Sequence, residues 1–232
     1  MAQLVSSKSL LVSSRPLAVG VVSQAQTLAS LPPDLDRQCD AVELRLDLLG
    51  LPADQIRVAA ASISMPILLT ARHPAEGGQG TEDAAGRIAL LEPLLDLASL
   101  IDIELRSVVE MKPLIDKARA RGIPIVGSFH DFQATPGTEI LEGAIAFAEN
   151  AGIDTVKIAT FVNSTDDLIR LVNLVSAKRR LRLSVMGMGT WGRVSRLLLA
   201  KCGSLLNYGF LGDSNAPGQW PAAQLKELLA EI

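Results

Sequence analysis

Cysteine, histidine and aromatic residues are all scarce in this chain of 232 residues. The two cysteines, Cys39 and Cys202, lack the paired spacing of a metal knuckle and read as small buried hydrophobes rather than as a disulfide or a nucleophile. His73 and His130 are the sole imidazoles, too few for a zinc site. Aromatics at 3% leave few platforms on which bases could stack. A net charge of −3, with no dense run of Lys and Arg, gives no electrostatic footprint for nucleic acid. No apolar run approaches the ~18 residues of a membrane helix. The opening "MAQLVSSKSLLVSSRPLAVG" is broken by serines, Arg15 and Pro16, unlike a signal peptide, so the expected location is the cytoplasm.

What is present is an alternation of two kinds of segment. Short β-branched runs recur at 17–22, 41–46, 67–71, 100–105, 123–129, 154–159, 181–186 and 206–211. Between them lie segments with helical spacing, such as "AAGRIALLEPLLDLA" and "TDDLIRLVNLVSAKRR". Gly122 and Gly152 fall where helices should stop, and Ser164 and Thr165 where one should start. Eight strand–helix pairs without a linker predict a (β/α)8 TIM barrel, one catalytic domain over 1–232, with residues 1–15 forming a hairpin or cap at the barrel bottom. A doubly wound open sheet is the rival, weakened by the lack of a Gly-rich fingerprint after the first strand.

Strand parity aims the polar residues at the barrel axis. Val156 and Ile158 suit the helix side of strand six, which turns Thr155, Lys157 and Ala159 inward. In strand four Asp102 and Glu104 turn inward, in strand three Thr70 and Arg72, in strand two Glu43 and Arg45. A filled polar core is the bland alternative. Burying several charges is costly unless they are paired, and function is the usual reason to keep them.

A lysine among arginines and apolar walls has its neutral amine favoured, and a neutral amine attacks a ketone to form an iminium. The iminium acidifies the adjacent carbon, so a base is needed, and His130 on the next strand is the candidate. Glu76 and Glu104 both qualify by position as the carboxylate that fixes its tautomer. His73, in the loop "RHPAEGG", is expected to be solvent-exposed. Met186 and Met188 form a soft wall or plain core packing. Arg196 could hold a substrate carboxylate by two hydrogen bonds. The loop 212–220 suits a lid carrying Gln219, or is a plain turn.

The ordered landmarks "ELRLD", "ARHPAEGG", "IDIEL", "FHDFQATP", "VKIAT", "MGMGTWGRVSR" and "APGQ" resemble those of the type I 3-dehydroquinate dehydratases of the shikimate pathway, over essentially the whole chain. The resemblance implies a barrel with no metal or cofactor, in which Lys157 forms a Schiff base with the C3 ketone of 3-dehydroquinate. His130 would move a proton from C2 to the departing C1 hydroxyl in a syn elimination that yields 3-dehydroshikimate. Glu76 matches the partner of the histidine, Glu43, Arg45 and Arg72 the holders of the ring hydroxyls, and Arg196 and Gln219 those of the carboxylate. It also implies a homodimer. The chain departs from the pattern at Asn215, where a lid serine is common, at Tyr208 for phenylalanine, at Trp191 for a smaller or charged residue, and at Gly20 where some members place a hydroxyl. Asn215 can still donate a hydrogen bond to substrate. A Schiff-base aldolase and a non-catalytic sensor compete. The first lacks a Gly-rich phosphate site, and the second predicts loss of Lys157 or His130 and an extra domain.

Overall fold

A computed structural model describes residues 10–80, 83–214 and 218–232. The strands are β1 (Leu17–Val22), β2 (Ala41–Arg45), β3 (Ile67–Thr70), β4 (Leu100–Glu104), β5 (Ile125–Asp131), β6 (Thr155–Phe161), β7 (Arg182–Met188) and β8 (Leu206–Phe210). Each is parallel to its neighbours in the order β7-β6-β5-β4-β3-β2-β1-β8. Helices α1 (Ala25–Ala29) and α2 (Leu35–Gln38) follow β1, and α3 (Leu46–Leu49) and α4 (Ala53–Ala60) follow β2. Then come α5 (Ala84–Leu91), α6 (Lys112–Ala120), α7 (Thr138–Asn150), α8 (Thr165–Ser176), α9 (Gly192–Lys201) and α10 (Ala222–Ala230), one after each later strand.

The two ends of the sheet meet at a seam that side chains close. Leu205 N–H donates to Leu183 O at 2.8 Å, and Leu206 N–H to Ser184 Oγ at 3.0 Å. Ser204 Oγ accepts from Val185 N–H at 2.9 Å and donates to Val185 O at 3.1 Å. Small hydroxyl residues thus supply at the seam the bonds that a regular ladder supplies elsewhere.

Packing splits along the strand parity. Val156, Ile158, Ile101, Ile103, Leu69 and Leu44 belong to the core between sheet and helices. Leu17, Val19, Leu68, Leu100, Val126 and Leu206 fill the barrel interior. That core covers the axis at the bottom of the barrel and leaves the polar inward residues at the top. Helix punctuation follows local chemistry: Ser164 and Asp167 form a reciprocal capping box at the start of α8, and Gly122 and Gly152, both at positive φ, follow α6 and α7.

Among the described residues of the N-terminal segment, Leu10 and Leu11 make a helical turn and Leu10 joins the interior core, as a cap at the barrel bottom would. Residues 1–9 of that segment lie outside the described residues. One expectation changes: "ELRLD" does not end as a strand, because β2 stops at Arg45 and Leu46–Leu49 turn into α3.

Ser184→Ala is expected to destabilise the fold by about 1–3 kcal/mol, the cost of stranding the buried Leu206 N–H at the seam. A urea titration reads it as a lower midpoint, and an unchanged midpoint would show that the seam does not depend on this hydroxyl.

Candidate active site

The strands' C-terminal ends open onto one small cleft of ≈ 90 Å³. Glu43, Arg45, Arg72, Glu76, His130 and Lys157 line it. Met186, Met188, Arg196 and Gln219 line the facing wall. Ten of the eleven residues singled out in the sequence therefore meet in one place, and the eleventh, Asn215, lies outside the described residues.

Lys157 stands at the centre, 5% exposed. Its Nζ is 3.5 Å from Asp102 Oδ2, 3.7 Å from Glu43 Oε1 and 3.9 Å from the centroid of the Tyr208 ring. The amine is close to two carboxylates and tightly bonded to neither. Burial pushes its pKa below the ordinary lysine range; Glu43 and Asp102 oppose that, and the Arg72 and Arg45 charges reinforce it.

His130 sits on the adjacent strand, two residues beyond Ser128, which is in register with Lys157. Its Nδ1 is 2.9 Å from Glu76 Oε2, and the same oxygen accepts the His130 backbone N–H at 3.0 Å. An oxygen that already accepts one N–H is the acceptor for the ring as well, so Nδ1 carries the proton and Nε2 keeps its lone pair. Burial, with Arg72, Lys157 and Arg45 nearby, holds the imidazole well below its usual pKa, so the ring is neutral. Burial pushes Glu76 up to about 7 against the pull of Arg72. Glu76 reaches the ring from the short turn Pro74–Glu76 after β3. The His73 ring caps that turn, with Nδ1 accepting Ala75 N–H at 3.0 Å. His73 is therefore a half-buried capping residue, which corrects the expectation of a solvent-exposed loop histidine.

Three arginines shape the charge of the cleft. Arg72 grips Asp102 with both terminal nitrogens, at 2.9 and 3.0 Å, and its Nη1 also reaches Glu104 at 2.9 Å and Ser128 Oγ at 2.5 Å. Arg45 clamps Asp47 through Nε and Nη2, at 3.0 and 2.7 Å. Glu43 Oε1 accepts the Thr70 hydroxyl at 2.7 Å. Arg196 is different. Its Nε donates to Tyr208 O at 3.2 Å, and its Nη1 to Gly187, Gly192 and Gly218 carbonyls at 3.1, 2.9 and 2.7 Å. Among the described residues no carboxylate pairs with it, and burial alone brings its pKa down to about 10. A cation buried on carbonyl oxygens beside a cleft is a ready seat for an anion. Gly218 makes this possible: at φ +74 it lies so near Gly189 O that an added Cβ would sit 2.5 Å away.

Asp102 is oriented by strand parity but has no role assigned from the sequence, and Glu104, the other carboxylate that qualified by position as the partner of His130, instead accepts from Arg72, Arg87 and His73 N–H. Ser128 and Arg87 were missed. Arg87 had one visible signal, a charged residue on the stripe that Leu91 continues on the buried side of α5.

A model of the family described as type I 3-dehydroquinase matches residues 18–232. The chain belongs to the type I 3-dehydroquinases. The 3-dehydroquinate dehydratase of Methanococcoides burtonii is 30% identical over 223 residues, 93% of this chain and 94% of that one. Among solved structures, the 3-dehydroquinate dehydratase of Geobacillus kaustophilus HTA426 superposes with a TM-score of 0.80 at 25% identity, covering 94% of this chain and 91% of that one. The enzyme from Aquifex aeolicus VF5 gives 0.78 at 26% identity over 93% and 98%. As a type I 3-dehydroquinase the chain is a hydro-lyase that works through a covalent lysine intermediate without a cofactor.

The departures from the dehydroquinase pattern fall in different places. Gly20 does not face the cleft: a Cβ there would meet Leu211 at 2.6 Å and Cys39 Sγ at 3.0 Å, both in the sheet–helix core. A side chain at this position would enter that core and not the cleft. Trp191 packs on that same core and does not line the cleft. Tyr208 does line it, with its ring under Lys157 and its hydroxyl buried without a partner.

Tyr208→Phe keeps the ring and removes the orphaned hydroxyl, so it is expected to raise stability by about 1 kcal/mol. A higher thermal midpoint checks this, and a clear drop would mean that the hydroxyl is bonded.

Proposed function

We propose that this chain dehydrates 3-dehydroquinate to 3-dehydroshikimate with Lys157 as the imine-forming amine, His130 as the proton carrier and Glu76 as its orienting partner. One observation carries the reading: a buried, inward amine with a depressed pKa shares one cleft with a neutral imidazole whose tautomer is fixed. The amine adds to the C3 ketone, and the carbinolamine loses water to leave an iminium on Nζ. His130 Nε2 takes a proton from C2, and the electron pair flows into the iminium to give an enamine. The imidazolium then hands that proton to the C1 hydroxyl, which leaves as water while the enamine collapses back to a conjugated iminium. Hydrolysis returns the amine and releases product. The balance is the loss of one water per turnover, with no oxidant and no metal in any step.

Arg196 and Gln219 are the proposed seat of the substrate carboxylate. Support comes from the Arg196 guanidinium, which among the described residues has carbonyl partners and no carboxylate, and from Gln219 lining the same cleft. Glu43 and Arg45 are the proposed contacts for ring hydroxyls, and Met186 and Met188 the apolar wall. Arg72 is so fully engaged with Asp102, Glu104 and Ser128 that its proposed part is electrostatic as much as direct. Asn215 is proposed as a hydrogen-bond donor from the lid. Family membership supports a cytoplasmic homodimer built from one barrel per chain. Among the described residues no helix is long and apolar enough to cross a membrane.

Borohydride reduction in the presence of 3-dehydroquinate is expected to fix a reduced adduct on Lys157, seen by mass spectrometry. Lys157→Met should remove both adduct and turnover with the fold intact. His130→Ala should still accumulate adduct while turnover drops by about 10²–10⁴-fold, the usual worth of general acid–base catalysis. A wild-type protein that turns over with no adduct on Lys157 rules the mechanism out. Arg196→Met is expected to act mainly on KM, and a loss confined to kcat would remove it from the carboxylate seat.

A further inference from the structure

Arg87 lies outside the cleft, yet it is one of the most deeply buried charged side chains in the protein, 1% exposed. It rises from α5, on the face that Leu91 continues into the core. Its Nη1 donates to Glu104 Oε2 at 2.7 Å, and its Nη2 to Ser107 Oγ at 2.9 Å and to the half-exposed Glu110 at 2.8 Å. Glu104 offers its other oxygen to Arg72 Nη1 and to His73 N–H, each at 2.9 Å. One buried carboxylate is therefore held between two guanidiniums. A continuous charge chain runs from Glu110 at the surface through Arg87, Glu104, Arg72 and Asp102 to Lys157.

Without Arg87, Glu104 would keep a full negative charge with Arg72 as its only guanidinium. It would then compete with Asp102 for Arg72 and make the barrel top more negative. In a site of low polarisability such a charge is felt at several ångströms. We infer that Arg87 is a positioning residue for the reaction: by cancelling the charge of Glu104 it keeps Arg72 seated on Asp102 and sets the field in which Lys157 reacts. The inference rests on Lys157 being the imine-forming amine.

The sign follows from the groups that face the amine. Glu43 and Arg45 approach Lys157 from β2, Arg72 from the end of β3, Asp102 from β4, His130 from β5 and the Tyr208 ring from β8, with Arg196 of α9 on the same cleft. Glu76 is faced by His130, Arg72, Asp102 and Glu104. A more negative surrounding stabilises the ammonium, the imidazolium and the protonated Glu76 carboxyl alike. Each change leaves less free amine or free base at a given pH, so all three move the acid side of the reaction to higher pH.

The test measures borohydride-trapped adduct against pH with 3-dehydroquinate as probe. Arg87→Met is expected to raise the midpoint by about half a pH unit or more, roughly a threefold loss of adduct on the acid side. Arg87→Lys, which keeps the charge, should stay near the wild-type midpoint. Should Arg87→Met fail to fold with Glu104 left half-paired, Glu104→Gln is compared with the Glu104→Gln, Arg87→Met double variant. The single variant should fall below the wild-type midpoint, and the double should return toward it. A merely structural anchor would change stability and leave every midpoint in place. Equal midpoints in wild type and Arg87→Met, or in the Glu104→Gln pair, overturn the inference alone. A wild-type protein that traps no adduct at any pH overturns it together with the proposed mechanism.

Discussion

The barrel top holds its charges because Arg72 is saturated. Its guanidinium meets Asp102 through Nη1 and Nη2, and the same Nη1 also reaches Glu104 and Ser128, all within a buried volume. Removing one member of such a buried set typically costs about 3–5 kcal/mol, since the remaining charges are left without partners. The same engagement has a chemical consequence. Arg72 pulls Asp102 down to about 2, against its burial, so that this carboxylate stays ionised while it stands 3.5 Å from the amine. Asp102 is then an anion already claimed by an arginine, which weakens its hold on Lys157. An amine flanked by unclaimed carboxylates would remain a firmly paired ammonium. Here one of the two flanking carboxylates, Asp102, is claimed, and Glu43, held by the Thr70 hydroxyl, is the one that still favours the ammonium.

The imidazole shows the complementary logic. His130 is pressed toward neutrality by burial and by the cations around it, whereas Glu76 is pressed toward protonation by burial. Because both groups are driven toward their uncharged forms, the 2.9 Å hydrogen bond to Glu76 orients the ring without keeping it protonated. That suits a base that must accept a proton and return it within one turnover. The backbone N–H of His130 on the same Glu76 oxygen keeps the ring from rotating away.

Strand parity was the most legible feature in the sequence. The inward set on β2, β3, β4 and β6 could be read because period-two alternation is local and because leucine and isoleucine mark the helix side. Boundaries were less legible. β5 and β7 continue to Asp131 and Met188, beyond their apolar runs, because polar and soft residues at a barrel's rim still pair with their neighbours. β2 stops early because Leu46 serves the core equally well from a helical turn. The facing of Gly20 was not legible for a related reason: a glycine carries no parity label, and its side emerges only from Leu211 and Cys39 packed against it.

Side-chain engagement was beyond sequence reading altogether. Arg72, Arg45 and Arg196 are alike as letters, yet the first two are spent on carboxylates and the third rests on carbonyl oxygens. The distinction decides which of them remains available to an anion, and it arises from chain segments far apart in sequence. Gly187, Gly192 and Gly218 present their carbonyls to Arg196 from β7, the start of α9 and the loop after β8. Those oxygens partly compensate the charge without neutralising it. A carboxylate would neutralise it and close the site to substrate, whereas apolar neighbours alone would leave the cation too costly to bury. The proposed seat rests on donors that are held and a charge that is left over.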